Sequence, residues 1–239
     1  MLALRKTRPA AGLEWAQVPE PEAPSGSDVL LQVAAAGICG SDVHIYQWTG
    51  GYEHLARHMP MTLGHEFSAH VVATGPAAEG VAVGDLVTVL PGIQCMRCIS
   101  CLRGEPAYFC RNHRGVGTSA DGAFARYTKV PAANCLVLPP ELDPALGALL
   151  EPLCIGDNAV AEGEIRFGDT VLVLGPGTIG QAIARAASWR GAQRVVVVGL
   201  DDAARLATAR AVGATHTIDL AEQPDLAAAF HAITGGQPA

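Results

Sequence analysis

The feature that most constrains this chain is a cluster of cysteines. Cys95, Cys98, Cys101 and Cys110 fall within sixteen residues, in the spacing C-x2-C-x2-C-x8-C. Four thiolates can close a tetrahedral shell around Zn²⁺, which leaves no open position and therefore no chemistry at the metal. The two-residue gaps let a tight turn aim successive sulfurs at one point, and the longer gap returns the chain for the fourth. Gly92, Gly104 and Pro106 nearby suit a loop with no core of its own, held by the metal instead. The alternative, a set of buried or redox-active thiols, does not account for the spacing. Seven cysteines in all, an odd number, argue for metal in a reducing compartment over a disulfide framework, and a cytoplasmic protein is expected.

The whole 239-residue chain sets the frame for that loop. Sixteen Lys+Arg against 23 Asp+Glu give a formal charge of −7, which speaks against nucleic acid or an anionic membrane as a partner. No apolar run approaches the ~20 residues of a membrane span, and Met1–Ala10 has no apolar stretch long enough for a signal peptide. The composition changes near residue 160. Before it, short apolar runs such as Val29–Val33, Val71–Ala73 and Leu86–Leu90 are punctuated by Gly and Pro, as in an irregular all-β unit. Beyond it, Val171–Leu174 reads as a buried strand, Gln181–Arg190 as a helix and Val195–Val198 as a parallel strand covered on both faces. Ala203–Val212, Thr215–Ile218 and Leu226–Ile233 continue as helix, strand and helix. The expected architecture is α/β plus β, with a β-rich unit over 1–158 and an α/β unit over 159–239.

Two further constellations carry chemistry. Cys39-Gly40-Ser41-Asp42-Val43-His44 is followed by Gly64-His65-Glu66 and later by Glu151-Pro152-Leu153. A thiolate, an imidazole and carboxylates make a mixed ligand set, which suits a catalytic zinc with one position left for water or substrate. The second is Gly175-Pro176-Gly177-Thr178-Ile179-Gly180, between a strand and a helix. In that context the glycines permit a tight turn, and the free N–H groups of the helix start can hold a pyrophosphate. An acidic residue that reads the adenosine ribose is expected about twenty residues on. The count lands instead on Gly199, with Asp201 and Asp202 just beyond and Arg205 after them. Losing a carboxylate at Gly199 opens the way to NADP, while the two aspartates would repel a 2′-phosphate. The balance favours NAD over NADP, with Arg205 either a phosphate ligand or an exposed helix arginine.

In their order along the chain, GICGSDVH, GHEF, the four-cysteine loop, EPL and GPGTIG resemble the zinc-containing medium-chain alcohol dehydrogenases, most nearly the polyol, butanediol and L-threonine dehydrogenase branch. The resemblance implies a GroES-like first domain and an incomplete Rossmann second domain. It implies two zinc ions, one structural on Cys95, Cys98, Cys101 and Cys110 and one catalytic on Cys39, His65 and Glu66. Glu151 is implied as a carboxylate that approaches the catalytic metal. Ser41 would accept the proton of an alcohol substrate, His44 would pass it toward solvent, and Asp42 would orient the His65 ring. The implied reaction is oxidation of a secondary alcohol (a polyol, a diol or L-threonine) with hydride transfer to NAD(P). The alternative is a truncated, catalytically impaired remnant that still binds zinc and a dinucleotide. One residue more than usual separates Cys101 from Cys110, a difference a bulge absorbs. Cys154, near Glu151, is a competing soft ligand or, preferably, a small buried hydrophobe. His54, His58, His70, His113, His216 and His231 match no motif.

Length then becomes informative. A dinucleotide fold is built from two halves of about three strands each, and one half is legible before Gly235-Gly236-Gln237-Pro238-Ala239. The chain is expected to be a fragment of a longer enzyme that is a homo-oligomer when complete, with one half of its sheet left as an aggregation-prone edge.

Overall fold

A computed structural model describes residues 1–236, so that Gln237, Pro238 and Ala239 of the expected chain terminus lie outside the described residues. The chain divides into two compact units, Met1–Glu151 and the part from Pro152 onward.

The first unit carries β1 (Leu2–Lys6), β2 (Glu14–Gln17), β3 (Asp28–Ala36), α1 (Gly40–Gln47), β4 (Met61–Thr62), β5 (Phe67–Thr74) and β6 (Leu86–Val89). It continues through β7 (Gly92–Ile93), α2 (Ile99–Leu102), β8 (Arg114–Gly115), β9 (Tyr127–Pro131), β10 (Cys135–Val137) and α3 (Pro144–Ala148). Its main sheet has the order β10-β6-β5-β3-β9, with every pairing antiparallel. The sequence produces this sheet by alternation. Val29 and Leu31, Phe67, Ala69 and Val71, and Val87 and Val89 recur at every second position and meet in one buried core with Val130. A strand turns successive side chains to opposite faces, so that spacing builds a single apolar face. A second sheet, β2-β1-β4, pairs Arg5 with Thr62 and so brings the N-terminal strand beside the segment that leads to His65.

The second unit holds β11 (Thr170–Leu174), α5 (Thr178–Trp189), β12 (Arg194–Gly199), α6 (Ala203–Val212), β13 (His216–Asp219) and α7 (Leu226–Thr234). The strands form a parallel sheet in the order β11-β12-β13, one half of a dinucleotide-binding fold. The valine run of β12 explains the layering. Val195 and Val197 pack with Ala184, Ala187, Leu206 and Ala209 of α5 and α6. Val196 and Val198 pack on the other face with Ile218, Leu226, Phe230 and Ile233.

A helix, α4 (Leu150–Glu162), runs through the boundary between the units. The division falls after Glu151, ahead of the expected one after residue 158. The reason lies in what α4 packs against. Val160 belongs to the core of the second unit, and a Cβ on Gly156 would stand 2.5 Å from the Ala182 methyl. No helix among the described residues is long and apolar enough to cross a membrane.

Candidate metal centres and nucleotide turn

β3 delivers the chain through Gly37 and Ile38 to Cys39, which is the N-cap of α1. The Cys39 N–H donates to Asp42 Oδ2 at 3.0 Å, satisfying one of the free donors at a helix start. The sequence reading held no helix here. α1 is short, and the only residues it buries are Asp42 and Ile45, so its apolar periodicity is too sparse to read. The helix sets Ser41 and His44 three residues apart, on one face. His44 is exposed. Its Nδ1 lies 3.2 Å from Thr49 Oγ1, and its ring stacks on Tyr52 with centroids 6.2 Å apart. Thr49 and Tyr52 carried no motif signal, because only the turn after α1 brings them back to His44.

The second arm, Gly64-His65-Glu66, lies between β4 and β5 and depends on glycine. Gly64 has φ +92, and a Cβ there would sit 2.5 Å from the Phe124 ring. Gly117 and Gly122 approach its backbone so closely that a Cβ on Gly122 would meet Gly64 O at 2.2 Å. The Ala123 N–H binds Gly64 O at 2.9 Å. A Cβ on Gly37 would lie 2.6 Å from Glu66 Oε2, so the absence of a side chain there makes room for the carboxylate.

These arms bring one ligand atom each of Cys39, His65 and Glu66 within 4.8 Å of one another. That is the scale set by bonds of about 2.0–2.3 Å to one ion, so the donor set fits zinc. The buried Asp42 lies behind His65, with Oδ1 3.8 Å from Nδ1. Burial works against the His65 imidazolium, but the bond to the Cys39 sulfur and the charges of Asp42, Cys39 and Glu151 raise its pKa to about 9. Burial also raises the pKa of Asp42 and of Glu151, with His65 opposing in both. Glu151, in the first turn of α4, is close enough to act on His65 and Glu66 through its charge, yet stands outside the tight group of three. Cys154 is not in that group either. It is exposed, contrary to the expectation of a buried hydrophobe, because it falls on an outer face of α4.

Cys95, Cys98, Cys101 and Cys110 form the other group within 4.8 Å. Sγ separations of 3.5 Å (Cys98–Cys101) and 4.0 Å (Cys95–Cys101) bracket the roughly 3.8 Å edge of a tetrahedron with Zn–S bonds of 2.3 Å. All four cysteines are free thiols. Backbone N–H groups favour the thiolates. Arg97 N–H leads in pulling Cys95 down to about 6, and those of Cys101 and Arg111 lower Cys98. Burial and neighbouring thiols push Cys101 up to about 12. The loop has little else to hold it, since Met96, Ile99, Leu102, Tyr108 and Phe109 are all exposed. Between Cys101 and Cys110 the chain turns at Gly104, with φ +69, and makes a single 3-10 turn at Ala107–Phe109.

In the second unit the glycine turn joins β11 to α5, with Gly177 as N-cap and Thr178, Ile179 and Gly180 in the first turn. Gly175 has φ +105, and a Cβ on Gly180 would stand 1.9 Å from Gly175 O. Both positions therefore require glycine. After β12, Gly199 is hemmed in by Pro176 and Leu206. Asp201 takes a left-handed φ of 52, and its N–H donates to Asp219 Oδ1 at 2.8 Å. Arg205 Nη1 pairs with Asp202 Oδ2 at 3.0 Å.

Known proteins resemble this chain in sequence and in fold. Residues 25–140 match the alcohol dehydrogenase GroES-like domain. The L-threonine 3-dehydrogenase of Cutibacterium acnes is 38% identical over 227 residues, 93% of this chain and 64% of the relative. That of Bacillus velezensis is 35% identical over 237 residues, covering 99% of this chain and 67% of the relative. Among solved structures, galactitol-1-phosphate dehydrogenase of Escherichia coli superposes with TM-score 0.85 at 28% identity, over 98% of this chain and 65% of its own. A zinc-binding dehydrogenase of Sinorhizobium meliloti bound to NADP gives TM-score 0.80 at 36% identity, over 92% and 62%. The chain belongs to the zinc-containing medium-chain alcohol dehydrogenase family, and its first unit is the family's GroES-like domain. It spans just under two thirds of the length of the first curated relatives it matches.

Proposed function

We propose that this chain carries the zinc sites and the first nucleotide-binding half of an enzyme that oxidises a secondary alcohol with hydride transfer to NAD(P). The observation that carries this reading is the meeting of Cys39, His65 and Glu66 within 4.8 Å, with Ser41 and His44 on the helix that Cys39 caps. Zinc bound there would supply a Lewis acid that makes an alcohol proton easier to remove. Cys39, His65 and Glu66 would hold it, and the Asp42 carboxylate would fix the orientation of the His65 ring. Glu151 would add a carboxylate at the edge of the site. Ser41 would accept the proton of the alcohol and pass it to His44. The contact of His44 with Thr49 would favour one ring orientation while the exposed side releases the proton to water. Cys95, Cys98, Cys101 and Cys110 would bind a second, structural zinc.

Gly175, Gly177, Thr178, Ile179 and Gly180 would seat the cofactor pyrophosphate on the start of α5. NAD is favoured over NADP because Arg205 is already paired with Asp202 and Asp201 stands beside it, so a 2′-phosphate would meet carboxylates. The substrate belongs to the class of L-threonine, polyols and diols, with L-threonine favoured by the curated relatives. A homo-oligomer is proposed for the complete enzyme, and the free thiols suit a reducing cytoplasm.

The deciding experiment is NADH formation by the zinc-loaded protein with L-threonine, a polyol and butanediol, before and after a strong chelator. Substrate-dependent reduction that the chelator abolishes and zinc restores is expected. Failure to reduce NAD or NADP with every one of these alcohols overturns the reading for this chain.

A further inference from the structure

A second site lies in the first unit, apart from the metal ligands. A cavity of about 390 Å³ is lined by Arg5, Arg114 and Lys129, with Asp121, Tyr127 and Thr128 among its other walls. Three cations face one carboxylate, in a chain whose formal charge is −7. Moreover, that carboxylate is already engaged: Asp121 Oδ1 accepts the Thr62 N–H at 2.8 Å and faces Arg5 Nη2 at 3.5 Å. Arg5 is only partly satisfied. Its Nη2 donates to Pro60 O at 2.5 Å, while its Nε is buried without a partner. Neither Arg114 nor Lys129 has a side-chain hydrogen bond or ion pair among the described residues.

A guanidinium N–H removed from water and left without an acceptor is costly, and two further unpaired cations beside it compound the excess of positive charge. An oxyanion in the cavity would offset that excess, because carboxylate and phosphate oxygens accept from the planar Arg fork while Lys supplies a point charge. The volume falls in the range of small-molecule pockets and leaves room for an organic body besides the anionic group. We propose that this cavity binds a small oxyanion, a phosphate ester or a di- or tricarboxylate, between Arg5, Arg114 and Lys129. Its position has a consequence for the metal site. Arg5 and Asp121 both hold the Pro60–Thr62 segment, which continues directly into Gly64-His65-Glu66, so an occupant would brace that arm.

Titration calorimetry on the zinc-loaded chain with inorganic phosphate and with citrate tests this, with sodium chloride at matched ionic strength as control. Saturable binding is expected, weakened about tenfold or more in the Arg114→Gln/Lys129→Gln double variant, where two charge-assisted contacts are lost. Arg114 is exposed and Lys129 half-buried, and neither has a side-chain partner to lose, so the melting temperature without ligand should stay near that of the parent chain. Phosphate can also bind at the glycine turn of the second unit, so the same titration is run on Gly180→Ala, where the cavity isotherm should persist. Binding of equal strength in the double variant, or its disappearance in Gly180→Ala alone, overturns the proposal, as does no saturable binding of either anion.

Discussion

Among the described residues Lys6 is one of the largest side chains fully shielded from solvent, and nothing in its sequence neighbourhood announces it. Its ammonium donates to Ala10 O, to Gly12 O at 3.2 Å and to Tyr46 O at 3.4 Å, and it lies 5.0 Å over the Trp48 ring. It thus ties β1 to the end of the helix that carries Ser41 and His44. Lys6→Met leaves those carbonyls without their charged donor and should cost about 2 kcal/mol or more, measured by urea unfolding. Cys39 is read as a metal ligand only in the company of Gly64-His65-Glu66 and through the family resemblance. Cys39→Ala should remove one of the two expected zinc equivalents and all turnover, and unchanged metal content by emission spectrometry would show the assignment to be wrong. Cys135 yields a pH prediction. Burial raises its thiol from the ordinary 9.0 to about 12, so the folded state holds this proton more tightly than the unfolded chain. The resulting stability is fully present below about pH 9 and is lost as the pH rises toward 12. Denaturation midpoints should therefore fall more steeply above pH 9 in the parent chain than in Cys135→Val.

At the scale of elements, the motifs that read well are those whose chemistry is local. The four-cysteine loop is defined by its spacing, and α5 by a row of small residues, of which Ala182, Ala184, Ala186 and Ala187 are buried. Cys98→Ala should lower zinc content by one while sparing the site at Cys39. Its first consequence should be faster proteolysis within residues 95–110, since exposed apolar side chains give that loop no alternative anchor. In the glycine turn, Gly180→Ala places a methyl 1.9 Å from Gly175 O. It should weaken NADH binding at least tenfold, as followed by nucleotide fluorescence. An unchanged affinity would rule out this turn as the pyrophosphate seat. α1 and α4 were not legible as helices, although they carry Ser41, His44 and Glu151. α1 buries too few side chains to show a helical period, and α4 carries Pro152 in its first turn, which gives its start the look of a turn.

For the whole molecule, the three-strand sheet of the second unit has β11 at one edge and β13 at the other. β11 is apolar after Thr170, with Leu174 exposed, and its edge runs along a groove lined by Val160, Ile165, Ile179 and Ile183. An unpaired strand of this kind invites pairing with another chain. Concentration-dependent association is therefore expected in sedimentation experiments and should diminish in Leu174→Lys. The sequence alone determined the ligand types, the order of the motifs, the alternation that makes the β-rich unit and the glycine turn, because each depends on residue identity at short range. It could not determine that Cys39, His65 and Glu66 converge, that Glu151 reaches them only through its charge, that the unit boundary falls inside α4, or that Arg5 and Lys6 on one strand meet such different surroundings. Those outcomes depend on which distant segments pack together: the close approach of Gly117 and Gly122 to Gly64, the room that Gly37 leaves for Glu66, and the pairing of Arg5 with Thr62. Local chemistry is written in the chain, whereas distances between residues far apart in it exist only once the core has formed.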